Sequence, residues 1–227
     1  MKRFLLILSI FFSVFSLTPG QDIMHSLTEM GLYMSSSEYQ RQHNEKKSIV
    51  GSPYLTEDFE PGMLQLKNTW YDDVDLRYDI YSDCFEVKLE TGTLVIDPKK
   101  NDIDSIRYNG EVFVRKISVS GKKSEITYMS HIGYSNGYLV YKHYKINVRA
   151  AEAPAGYSDA KPAEFRPDSP DYYIFKDNNK WQLTGNKSIA EIFDTDHKVV
   201  KKFLKENKYK LSNENDLIQV VRHFSTL

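Results

Sequence analysis

The chain holds a single cysteine, Cys84, among 227 residues, so no disulfide can close within it. An odd thiol in an exported chain can react or pair between chains. Cys84 sits inside a strand pattern with no His or Lys beside it to lower its pKa, and it reads as a small buried hydrophobe. Charge of one sign is missing as well. The formal net charge of −1 removes any global pull toward nucleic acid or an anionic bilayer. Beyond residue 17 no run is long and apolar enough to span a membrane. Catalytic signatures are scarce. There is no His-Glu-x-x-His pair, no nucleophile elbow is expected, and Cys84 has no evident base. Gly121-Lys122-Lys123-Ser124 resembles the end of a phosphate loop but lacks the earlier spaced glycine and the strand-to-helix setting. No enzyme activity and no cofactor are therefore expected. An envelope hydrolase built on an Asp/Glu pair is the third-ranked reading, since such pairs are recognised by distance in space.

What is present begins with an export signal. Lys2-Arg3 is a cationic head, residues 4–17 are apolar apart from serines, and Thr18-Pro19-Gly20 forms a small-residue exit. Residues 1–20 read as a signal peptide. No cysteine follows to take a lipid anchor, so the expected location is periplasmic or secreted. Residues 21–50 are polar and read as a flexible N-terminal arm, too poor in apolar side chains to offset ordering entropy.

Residues 51–185 read as an antiparallel β-domain. Its centre is 71–96, where Val74, Leu76, Tyr78 and Ile80 alternate with polar neighbours and Phe85, Val87 and Leu89 continue the pattern. With Ser82-Asp83 as the turn, the rungs are Ile80/Phe85, Tyr78/Val87 and Leu76/Leu89, all apolar on one face. Strands are expected at 63–70, 74–81, 84–90, 93–97, 104–108, 111–117, 125–132 and 138–148. Asn109-Gly110 and Asn136-Gly137 supply the positive φ angles of tight hairpins. Residues 150–171 hold four of the chain's eight prolines and read as a loop that Tyr157 and Phe165 pin to the sheet. A hairpin of 172–175 with 180–183 closes the domain.

Residues 186–227 read as a helical tail. The segment 197–207 presents Val199, Val200, Phe203 and Leu204 on one side, and Ser212 caps a last helix carrying Leu217, Ile218, Val220, Val221 and Phe224. Isolated helices this short are marginal, so they must dock, and the sheet is the expected seat. The fold class that follows is mainly β (α+β): a curved or closed antiparallel meander with a C-terminal helical hairpin packed on it.

GSPYL at 51–55, LRYDIYSD at 76–83 and KKFLKENKYKL at 201–211 resemble a family of uncharacterised exported proteins of Bacteroidetes-type bacteria. The resemblance implies an envelope or secreted location and a β-rich domain with a helical tail. It carries no activity and no site residues.

Candidate sites are few. Asp72, Asp73, Asp75, Asp79 and Asp83 offer oxygen ligands but stand at strand spacing, and a solvated charged face is expected instead of calcium. His131, expected opposite Lys142, and His143 fall on opposite sides of the sheet in the predicted register, so no zinc site is expected. Lys198, Lys201, Lys202, Lys205 and Lys208 stripe one helix face, read first as solubilising and second as a seat for an anionic partner. Trp70 and Tyr78 are candidate linings of a sugar- or lipid-binding cup. The function expected is an exported, non-enzymatic binding or scaffolding module of the cell envelope, with an unidentified envelope protein or glycan as partner. A periplasmic carrier holding an apolar or glycan ligand in a cupped sheet is the alternative.

Overall fold

A computed structural model describes residues 44–227 apart from 91, 101–102, 121–122, 155–158 and 178. The expected signal peptide, the arm up to residue 43, Tyr157 and Gly121-Lys122 lie outside the described residues. The protein is mainly β. The strands are β1 Glu60–Leu66, β2 Thr69–Asp79, β3 Cys84–Leu89, β4 Gly92–Ile96, β5 Ser105–Tyr108, β6 Glu111–Ser120, β7 Lys123–Ser135, β8 Tyr138–Arg149, β9 Glu164–Lys176 and β10 Asn179–Leu183. They form one antiparallel sheet in the order β10-β9-β8-β7-β6-β5-β1-β2-β3-β4. The sheet is curled but not closed, and it is two meanders joined where β5 returns beside β1.

The turns explain where strands break. Asn109 and Gly110 take φ 50° and 73°, and Asn136 and Gly137 take 47° and 86°, as Asn-Gly hairpins require. The expected strand 63–70 is instead interrupted by Lys67 and Asn68, both at positive φ (48° and 64°), so Trp70 belongs to β2. The Asn68 N–H donates to the Asp104 carboxylate at 3.0 Å and holds that turn.

In the central hairpin the faces are as predicted and the rungs are not. Leu76 pairs with Val87, Tyr78 with Phe85 and Asp79 with Cys84. The shift is two residues, an even number, so every apolar side chain stays inside. Its cause is the Asp79 carboxylate, which accepts the Ser82 N–H at 2.9 Å and draws residues 80–83 into the turn, with Asp83 at φ 51°. Arg77 consequently stands opposite Glu86 and pairs with it at 2.6 Å.

The concave face is filled by rings. Phe85 on β3 lies 4.7 Å from Tyr78, 5.1 Å from Phe113 on β6 and 5.2 Å from Tyr128 on β7, centroid to centroid. β2, β1 and β5 all separate β3 from β6 in the sheet, so these contacts measure how far it curls. Tyr78, Phe85, Tyr108, Phe113 and Tyr128 are each at most 1% exposed. Cys84 is buried at 3%, as expected.

Two other expectations need correction. β9 starts at Glu164, so the second part of the expected loop 150–171 is strand. β10 pairs only with residues 172–176, which leaves Pro167 and Pro170 on an open edge where no N–H is demanded. The arm expected to run free to residue 50 is already packed at Lys46, which is 6% exposed and pairs with Asp79. Val50 follows, donating to Ala163 at 2.9 Å and accepting from Phe165 at 2.8 Å.

The tail forms α1 Asn186–Ile192, α2 His197–Asn207 and α3 Glu214–Phe224. Ile189, Val200, Leu204, Leu217, Val220, Val221 and Phe224 pack with Val140, Tyr172 and Ile174 of β8 and β9. Val199 is not among them: it is 47% exposed, while Val200 and Leu204, one turn apart, are buried. The cap of α3 is Asn213, which accepts the Asp216 N–H at 3.0 Å, one residue beyond the expected Ser212. Gly133 allows the docking, since a Cβ there would come within 2.8 Å of Ile218 Cγ1. Lys142, 5% exposed, joins Glu111 of β6 to Glu214 of α3 at 2.6 and 2.8 Å.

Candidate functional site

The site begins with a fault in the sheet. β7 and β8 pair from Ser135/Tyr138 to Ser130/Lys142, with an irregularity between His131 and Gly133, and there their ladder ends. Past it β7 continues along β6 to Lys123 and β8 along β9 to Arg149. The two strands part into a fork, and the β2–β3 turn enters it from the concave side.

Asp83 is the side chain that turn delivers. Its carboxylate accepts the Tyr78 hydroxyl at 2.6 Å and the Tyr128 N–H at 3.2 and 3.3 Å, the backbone donor that β8 leaves behind. Burial pushes its pKa up to about 7, against the pull of hydrogen bonds from Thr127, Tyr78 and Tyr128. Thr127 also bonds His143 Nε2 at 2.8 Å, and burial holds that imidazole below its ordinary pKa while Asp171 pulls the other way. The Thr127 hydroxyl thus bridges Asp83 and His143, donating to the carboxylate and accepting from Nε2 in the tautomer that carries the proton there. At 2% exposure it offers no open approach as a nucleophile.

This hydrogen-bonded cluster forms the floor of a hollow of about 250 Å³. Lys99 and Glu125 form an ion pair across its mouth, and Lys145 reaches Asp171 at 3.3 Å. Tyr81 stands at the lip, 49% exposed and braced edge-on by Phe165 at a centroid distance of 5.3 Å. Behind the turn, Lys46 pairs with Asp79 and also donates to Ser82. The β2–β3 hairpin is further clamped by Glu86, which burial raises to about 7, and by Arg77, whose guanidinium lies 3.7 Å from the Tyr54 ring centroid and 4.3 Å from that of Phe59.

The residues proposed from sequence lie elsewhere. Trp70 and Tyr78 do not share a surface. Met63 stands against both Asp72 and Asp73, and this irregularity, with Asp73 at φ 54°, reverses the alternation of β2. Trp70 faces outward beneath the Arg107 guanidinium at 4.4 Å, whereas Tyr78 is at 0% exposure in the ring cluster. Tyr78 therefore cannot line a cup. Lys198, Lys201, Lys202, Lys205 and Lys208 all sit exposed along α2 and its cap. His131 faces Tyr141 rather than Lys142, because the irregularity after it shifts the register, and it therefore shares a face with His143. Even so, no group of three or more His, Cys, Asp or Glu among the described residues is placed to hold a metal ion. Of the five aspartates, Asp72, Asp73 and Asp75 are exposed, and Asp79 and Asp83 carry the partners given above.

Contrary to the expectation that no Gly-x-Ser-x-Gly elbow occurs, Gly133-Tyr134-Ser135-Asn136-Gly137 has that spelling. It forms the β7–β8 hairpin, and Ser135 bonds the Ser225 hydroxyl at 2.9 Å, so its job is to tie down the tail. The fork itself was missed because Asp83 and Tyr128 are 45 residues apart and no local pattern links them. No protein-family model matches the chain, and no curated protein or solved structure matches it either.

Proposed function

We propose that the chain is an exported, non-enzymatic binding or scaffolding module of the cell envelope, periplasmic or secreted, whose partner is an envelope protein or a glycan. The supporting observation is the filled concave face. A carrier needs a lined hollow large enough to bury its ligand, typically a few hundred Å³ or more. Here the interior of the curl is occupied by Tyr78, Phe85, Tyr108, Phe113 and Tyr128. Recognition then falls to the outer surfaces, namely the fork and the lysine face of α2. The 1–20 segment and the likeness to exported Bacteroidetes-type proteins support the location.

Native mass spectrometry of the protein extracted from its own envelope fraction tests this reading. The expected result is a processed chain beginning near Gln21, free of co-purifying lipid. A stoichiometric apolar molecule retained through extraction would hand the function to the carrier. Recovery of the unprocessed chain from the cytoplasm would overturn the location.

A further inference from the structure

We infer that the fork between β7 and β8 is a binding site for one ring of an uncharged glycan. The inference rests on the binding-module reading and names its ligand class. Four features of the fork carry it.

The first is size. The hollow of about 250 Å³ lies just below the roughly 300 Å³ at which pockets for drug-sized ligands begin, which suits a single sugar ring and not a longer buried ligand.

The second is compensated charge. Lys99 is paired with Glu125, and Lys145 lies 3.3 Å from Asp171 and 3.9 Å from Asp168, so both rim ammonium groups already have carboxylate partners. An anionic ligand would compete with these carboxylates for ammonium groups that already have partners, and because the pairs are exposed this preference is modest. A sugar hydroxyl both donates and accepts, so it can bond the carboxylate and the ammonium of a pair without separating them.

The third is Tyr81. Its half-exposed ring stands beside the polar hollow and is held by Phe165 rather than folded into the core. The negative face of an aromatic ring attracts the polarised C–H groups on the flat side of a pyranose, and its apolar area shields them from water.

The fourth is rigidity. Asp83, Thr127 and His143 form the floor and are fixed by mutual hydrogen bonds and by Tyr78 and Tyr128. A floor already ordered costs little further entropy when a ligand arrives.

Saturation-transfer NMR on the full mature chain provides the test. The probes are methyl glucoside, methyl galactoside, mannose, rhamnose and N-acetylglucosamine, with N-acetylneuraminic acid as the acidic comparison. At least one neutral sugar should receive saturation more strongly than the acid. Tyr81→Ala should weaken that sugar by about fivefold, the affinity equivalent of a lost aromatic contact. Lys145→Gln should weaken it as well and serves as the readout if Tyr81→Ala fails to fold. Tyr134→Ala, at a residue 62% exposed near the far hairpin, should change nothing. Three results would overturn the assignment: silence from every neutral sugar, a response that survives both fork variants, or tighter binding of the acid. A silent sugar panel from protein still recovered in an envelope complex would defeat the fork assignment alone. A chain found unprocessed in the cytoplasm would defeat the underlying reading.

Discussion

Two regions of this protein draw side chains out of water by opposite chemistry. In the curl of the sheet, Phe85 sits among Tyr78, Tyr108, Phe113 and Tyr128, and removal of apolar area from water is what holds them. At the fork the groups are the buried Thr127 and the half-buried Asp83 and His143, which gain nothing from leaving water and are held by hydrogen bonds. The first region is expected to respond to lost volume and the second to pH, although Tyr78 and Tyr128 belong to both.

The largest expected effect tests the first half of that contrast. Phe85→Ala should cost about 3–5 kcal/mol, because the ring touches four others and the vacated volume cannot collapse. Urea unfolding would measure it, and a loss below 1 kcal/mol would mean that the curl is packed loosely. Asp79→Ala comes next at about 3 kcal/mol, since it leaves the buried Lys46 ammonium without its carboxylate. Replacing both, as Lys46→Met with Asp79→Leu, should recover most of that loss. If the double variant is as unstable as the single one, the pair acts through the turn geometry and not through its charge.

The pH profile addresses the second half. Asp83 rises from 3.8 to about 7 and Glu86 from 4.5 to about 7 on folding, both chiefly through burial. Between those values the folded chain keeps protons that the unfolded chain has released. Stability therefore is fully present below the unfolded pKa values and falls as pH rises toward 7, by up to about 1.4 kcal/mol per pH unit for each group. His143 acts in the opposite sense. Its depressed pKa gives stability that is present above 6.5 and is lost as pH falls through the folded value. The net expectation is a melting temperature that declines between pH 5 and 7.5, with a shallower decline in Asp83→Asn. A profile that rises over this interval, or one that Asp83→Asn leaves unchanged, would remove the fork from the account.

How much of this was legible can be argued residue by residue. The inward faces were, because alternation survives a slip of two: Tyr78 meets Phe85 instead of Val87 and still faces the core. Local turns were legible where Asn-Gly spelled them and illegible at Lys67-Asn68, where a lysine adopts φ 48° without any turn chemistry of its own. Side-chain direction was lost wherever a strand carried an irregularity, at Asp72-Asp73 and after His131, since an extra residue in a ladder leaves no mark in composition. The fork was beyond reach for a different reason. It exists because two strands stop pairing, and a distant turn supplies the group that fills the gap.

The smallest expected effect concerns the lysine stripe, where sign matters more than size. Lys198, Lys201, Lys202 and Lys205 stand three or four residues apart on α2, and among the described residues Lys202 alone of them has an acidic side chain within 4 Å, Glu206 at 3.9 Å. Like charges at this spacing oppose helix formation by roughly 0.2–0.5 kcal/mol per pair. Lys198 also lies in the first turn, where the helix dipole disfavours a cation. Only Lys205, in the last turn, gains from the dipole. Lys198→Gln with Lys201→Gln should therefore leave the urea midpoint unchanged or raise it slightly, and the rise should shrink with added salt. The buried side of the helix, Val200 and Leu204, is untouched by the change. A loss of more than about 1 kcal/mol would make these lysines structural. A small gain would mean that α2 carries them at a cost to its own stability, which a surface kept only for solubility does not require and a surface that meets an anionic partner does.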